Sequence, residues 1–266
     1  MQGLSINNNQ KIWLVVGSET STIGQAAETA LLKNFNVIKT SKNENGERVY
    51  LDICKPESIQ WFIRDFIKKY PGKKIKVLFL NAGNMIAGDT LSRSDFLKKV
   101  NEWEKSINTH VNNIVLVDSL QREWLIDKQT KIIYNSSVQM FSPKKGFEDY
   151  AKLKSIVANL LLMDKDLDVT ILALSLVKWS RMTNEVEMAM KKRGEDVQEY
   201  IKKNMPEWQP SLDEVQFITE EIIRHRQKTR WKIVCLDWGI IKNLSKETSK
   251  DCIYFDKKSD FFKEIK

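Results

Sequence analysis

Along this chain, short runs of branched and aromatic apolar residues alternate with longer stretches in which apolar residues recur every three or four positions. The first pattern reads as buried strands and the second as amphipathic helices. Expected strands are KIWLVVG (11–17), NVIKT (36–40), RVYLDI (48–53), KVLFLNAG (76–83), KIIYNSS (131–137), DVTILALSL (168–176) and a last one, WKIVCLDWG (231–239). Expected helices are IGQAAETALLKNF (23–35), PESIQWFIRDFIKKY (56–70), a long region from about Ser94 to Asp127, DYAKLKSIVANLLLMDK (149–165) and SLDEVQFITEEIIRH (211–225). The second helix opens on a proline and lines up Ile59, Phe62, Ile63, Phe66 and Ile67 as one stripe. Strands alternating with helices predict right-handed βαβ units and an α/β fold. The expected architecture is a doubly wound, mainly parallel sheet with helices on both faces, a single domain over residues 1–266. A polar insertion covers 178–210, and a tail, 240–266, follows the last strand.

Composition bounds the partners. At 266 residues the chain is long enough for a large core, and 42% hydrophobic with 29% charged residues is globular. The net charge of +8 is spread along the chain with acids between, so no basic block reads as a nucleic-acid arm. The apolar runs are too short to span a membrane, and MQGLSINNNQ does not read as a leader. Cys54, Cys235 and Cys252 lie far apart, with no metal-ligand spacing and an odd count, which fits a reducing cytoplasm and no metal site. His110 and His225 are the only histidines; neither has both an acid and a nucleophile near it in sequence, and both read as structural or surface residues.

In such sheets ligands bind beyond the carboxyl ends of the strands. Those ends carry Gly17, Asp52, Asn81 to Gly83, Ser136 with Ser137, and Ser175. GSETSTIG joins the first strand to the first helix. Gly17 and Gly24 flank small hydroxylated residues, with Ser18, Thr22 and Ile23 between them; Ser18 and Thr22 can donate to a phosphate, and a helix N-terminus favours an anion there. An ordinary Ser/Thr-rich helix cap explains the stretch equally well. The second strand ends without the acid that would bind a ribose 2′-hydroxyl. Ser41 and Lys42 stand where a 2′-phosphate needs a hydroxyl and a cation, which favours NADP over NAD. The bland alternative is a solvent-exposed loop lysine.

Tyr-x-x-x-Lys occurs three times, at Tyr70/Lys74, Tyr150/Lys154 and Tyr254/Lys258. Tyr70 precedes a Pro-Gly turn and Tyr254 falls in the tail. Tyr150 alone starts a helix after a strand end, where residues four apart share a face. A nearby ammonium favours phenolate, and Ser137 adds a hydroxyl. The three converge on the edge of the sheet as a set suited to proton transfer at a carbinol or carbonyl oxygen during hydride transfer.

With these motifs in this order the chain, from roughly Lys11 to Gly239, resembles the short-chain dehydrogenase/reductase family in its short single-domain form. The resemblance implies a Rossmann-like fold and an NADP-dependent oxidoreductase that interconverts an alcohol with a ketone or aldehyde, commonly as a homo-dimer or homo-tetramer. GSETSTIG resembles the family's glycine turn, and YLDI places Asp52 against adenine. NAG at Asn81, Ala82 and Gly83 matches the fourth-strand motif. Asn108, in INTHV, falls where the family keeps a helix asparagine that organises a relay water. Ser137, Tyr150 and Lys154 match the catalytic serine, tyrosine and lysine, with Lys154 also binding the nicotinamide ribose. The 178–210 segment implies a substrate lid; Lys178 and Arg181 at its base would hold an anionic group on the substrate. Two departures stand out: Thr22 occupies the turn's middle glycine position, and SLVKW (175–179) replaces the Pro-Gly after the sixth strand. They motivate the alternative of a non-catalytic binding or scaffold subunit on the same fold.

Overall fold

The structure is a computed structural model. It describes residues 11–17, 21–32, 36–43, 48–83, 93–141, 148–174, 211–224, 233–235, 252–256 and 261–264, with isolated positions between 177 and 199. In chain order the elements are β1 (Ile12–Val16), α1 (Thr22–Leu32), β2 (Asn36–Ser41), β3 (Val49–Tyr50), α2 (Pro56–Lys69), β4 (Ile75–Leu80), α3 (Arg93–Arg122), β5 (Lys131–Ser137), α4 (Glu148–Met163), β6 (Asp168–Leu174), α5 (Leu212–Arg224), β7 (Ile233–Cys235), β8 (Cys252–Asp256) and β9 (Phe261–Glu264).

They form one sheet in the order β3-β2-β1-β4-β5-β6-β7-β8-β9, parallel through β8, with β9 antiparallel to it. The continuous apolar runs are explained by burial on both faces. In β1, Ile12, Leu14 and Val16 enter a core with Ile59, Phe62 and Phe66 of α2, Leu116 and Leu120 of α3 and Val157 and Leu161 of α4. Trp13 and Val15 point the other way, into a core with Ala26 and Ala27 of α1 and Val215, Ile218 and Ile222 of α5. This period-two alternation separates the two helical layers. Sheet order reverses at β1, between β2 and β4, and so opens a crevice at the C-terminal edge there.

Two expectations are corrected. WKIVCLDWG is not the last strand, because the tail adds β8 and β9. Cys252–Tyr254 pair with Ile233–Cys235, so the tail's backbone covers the β7 edge. Ile67 is 39% exposed: it falls at the margin of the α2 stripe whose centre is Ile59, Phe62, Ile63 and Phe66.

Candidate active site

The crevice begins at Gly17. Its φ is +76°, and a Cβ built on it would stand 2.9 Å from the Cα and N of Ala82. Only glycine tolerates both the left-handed backbone and this approach of two chains. Its N–H donates to Thr40 Oγ1 (3.3 Å), and its carbonyl accepts from Asn81 Nδ2 (2.8 Å). Asn81 Oδ1 in turn accepts from Asn135 Nδ2 (2.6 Å). Asn81 is thus the brace that ties the β1 turn to β4 and β5. Ala82 is the wall of the turn, and Gly83 is exposed beyond it. Ser21 caps α1, accepting from Gly24 N–H at 3.2 Å. Thr22 and Ile23 open the helix, so its positive end lies beside the crevice. Ser18 lies outside the described residues.

At the end of β2, Ser41 is buried and its Oγ accepts from Asn43 N–H at 2.9 Å, forming the turn. Lys42 is exposed. Lys39 and Arg48 are held by buried Glu28 at 3.1 and 2.7 Å. Asp52 shapes the next loop: its Oδ1 accepts from Cys54 N–H (3.1 Å), and its own N–H donates to Ser58 Oγ (2.9 Å).

Ser137 ends β5 and accepts from Gln139 N–H at 3.2 Å, which turns the chain through a short 3-10 segment toward α4. On α4, Tyr150, Ala151, Lys154, Val157, Ala158 and Leu161 form the buried face. Tyr150 and Lys154 are each 4% exposed. Lys154 Nζ donates to the Asn135 carbonyl (2.8 Å) and lies 4.8 Å from the centre of the Tyr134 ring and 5.9 Å from that of Tyr150. Ser137, Tyr150 and Lys154 therefore meet at the C-terminal edge, as expected. Of the other copies, Tyr70 ends α2 against Phe66 and Lys74 pairs with Asp127 at 2.7 Å, away from this edge; Tyr254 is a strand residue paired with Cys235, and Lys258 lies outside the described residues.

The ionisation pattern differs from the expected one. Burial pushes the Tyr150 phenol up, opposed by a hydrogen bond with Ser137. Burial also lowers Lys154 to about 7. The lysine does not hold the phenol down, because its own charge is disfavoured by the same desolvation.

Asn108 is corrected as well. It is exposed and lines an open surface hollow with Val100, Trp103, Glu104 and Ile107. The buried face of α3 runs through Ser106, Thr109, His110, Asn113 and Leu116. Two residues turn a helix by about 200°, so Asn108 faces away while His110 faces the site. The His110 ring packs edge-on to Tyr150, with centroids 5.8 Å apart. Asn113 Nδ2 donates to the Ala82 carbonyl (3.1 Å) and Asn112 Nδ2 to that of Ile53 (2.7 Å). The core register Leu116, Val117 and Leu120, stepped back by threes and fours, reaches His110 and Asn113 and was the signal for them. Lys178 and Arg181 lie outside the described residues. Among the described residues no group of His, Cys, Asp and Glu is placed to hold a metal ion, and no helix is long and apolar enough to cross a membrane.

No sequence-family model and no curated protein sequence matches the chain. Solved structures do. A short chain dehydrogenase family protein from Francisella tularensis superposes with a TM-score of 0.66 at 20% identity, over 88% of this chain and 99% of that one. Aldohexose dehydrogenase of Thermoplasma acidophilum gives 0.66 at 20% identity, over 90% and 96%. RhlG of Pseudomonas aeruginosa, in an NADP active-site complex, gives 0.66 at 16% identity, over 86% and 96%. The chain has the doubly wound Rossmann-type fold of these structures.

Proposed function

We propose that this chain is a short-chain dehydrogenase/reductase that uses NADP to interconvert an alcohol and a ketone or aldehyde. The observation that carries the reading is the assembly of Ser137, Tyr150 and Lys154 beside the Gly17 turn. The Tyr150/Lys154 copy of the Tyr-x-x-x-Lys motif is buried at the ligand edge of the sheet, next to a strand-end serine.

The residues present fit the dinucleotide. Gly17 provides a bare cradle against Ala82, the α1 N-terminus supplies positive potential, and exposed Lys42 suits a 2′-phosphate. The bound cofactor supplies the hydride acceptor or donor. The Ser137 hydroxyl holds the substrate oxygen, and Tyr150 moves a proton to or from it. Lys154, lowered to about 7 by burial, becomes a full cation when an anion or phenolate forms beside it. A cytoplasmic place and a homo-oligomer belong to the same reading. The latter is supported by the apolar residues left exposed on α3 (Val100, Trp103, Ile107, Val111) and α4 (Ile156, Leu160, Met163).

The cofactor is tested by titration. NADPH is expected to bind at least about tenfold more tightly than NADH, a difference of ~1.4 kcal/mol, the scale of one charge-assisted contact. Lys42→Asp is expected to narrow or invert the preference. Equal affinities in the unsubstituted protein would contradict it. The second reading, a binding-only subunit, is favoured by Thr22 and by SLVKW; it predicts dinucleotide binding without turnover.

A further inference from the structure

Gly83 brings two ionisable side chains to one point. A Cβ built on it would stand 3.0 Å from His110 Cε1 and 3.3 Å from Lys154 Nζ, so the imidazole and the lysine head flank the same bare Cα. His110 is fully buried, and its ring meets that of Tyr150 edge-on. One imidazole therefore borders both members of the pair to which proton transfer is assigned above. A buried histidine is ordinarily core filler. This one is surrounded by groups that titrate: Tyr150 and Lys154 from α4, Tyr134 of β5 beneath the lysine, and, one residue along α3, the Cys54 thiol 2.9 Å from Thr109 Oγ1. Gly83 itself is exposed, so the cluster lies one residue from solvent.

We propose that His110 is a proton-relay residue that acts through Tyr150 and Lys154, carrying protons between that pair and water. The inference rests on the function proposed above. In carbonyl reduction Tyr150 gives its phenol proton to the substrate oxygen, the phenolate left takes a proton from the Lys154 ammonium, and the amine formed takes one from the His110 imidazolium. The imidazole is reprotonated from water, and all three groups end as they began. Alcohol oxidation runs the same steps in reverse.

The chain has two histidines, so in a His225→Gln background the imidazole proton resonance belongs to His110. NMR titration of the ligand-free protein is expected to show His110 titrating with Lys154. In Lys154→Met its midpoint is expected to rise by about one unit, because a neighbouring cation has gone. In turnover, His110→Phe, which keeps a ring against Tyr150 but has no titrating nitrogen, is expected to lower kcat about tenfold or more with KM within about twofold, and to flatten the pH profile near neutrality. His110→Ala is expected to regain rate with added imidazole. An identical His110 titration in Lys154→Met, or an unchanged pH profile in His110→Phe, overturns the relay and leaves the proposed function standing. Coupling in a protein that transfers no hydride overturns both.

Discussion

Replacing Lys154 by methionine is expected to make the ligand-free protein more stable at pH 7 while removing its turnover. Burial lowers the Lys154 pKa from 10.5 to about 7. Each unit corresponds to about 1.4 kcal/mol, so holding this lysine costs the fold on the order of 4 kcal/mol near neutrality. Methionine fills a similar unbranched volume without a charge. Its substitution forfeits the hydrogen bond to the Asn135 carbonyl and the contacts with the Tyr134 and Tyr150 rings, which offset part of that gain. A net stabilisation of roughly 2 kcal/mol corresponds to about 4–8 °C in melting temperature for a chain of this size. The sign fixes the pH dependence. Because the folded pKa is depressed, the unfolded chain binds more protons between about 7 and 10.5, and wild-type stability rises with pH across that window. The advantage of Lys154→Met is therefore largest at and below pH 7 and fades toward 10.5. Thermal melts across this range check it. A variant less stable at pH 7, or a gap that does not change with pH, would show that the buried lysine is not the cost described.

Tyr150→Phe is expected to lower kcat by about 10²–10⁴-fold, the usual contribution of a positioned acid or base. NADPH affinity should stay within a few-fold, since the phenyl ring keeps its packing against His110 and only the hydroxyl facing Ser137 is lost. Two controls are built into the chain. Tyr70→Phe alters a residue that packs on Phe66 at the end of α2, and Tyr254→Phe alters a strand residue beside β7; both should keep wild-type kcat. Steady-state kinetics of the three variants decide the matter. Equal damage from Tyr254→Phe would defeat the assignment of function by helix context.

The parts of this fold that follow from local pattern were legible. IWLVV in β1 and the Ile59–Phe62–Phe66 stripe of α2 bury as their periodicity predicts. Tyr150 and Lys154 share a face because a helix places positions four apart together. What was not legible depends on partners distant in sequence. Nothing near Gly17 indicates that Thr40 and Asn81 hold its two peptide groups, or that Ala82 closes on its Cα. The tail's aromatics are strand formers that needed the uncovered β7 edge to become β8 and β9. The local motif points to Asn108, but the register of α3, fixed by Leu116 and Leu120 in the core, turns His110 inward instead. The direction of the Tyr150 shift was not legible either. Adjacency of a lysine predicts a lowered phenol, but desolvation, which sequence does not display, acts on both groups.

The central claim is that the Ser137–Tyr150–Lys154 edge serves hydride transfer. It is tested most directly by incubating the protein with NADPH carrying deuterium at the transferable position and a panel of ketones and aldehydes, followed by mass spectrometry of the products. The expected result is an alcohol bearing one deuterium on the carbinol carbon, formed by the wild type and not by Tyr150→Phe. Saturable NADPH binding with no labelled alcohol from any carbonyl in the panel would contradict it and leave the binding-only reading.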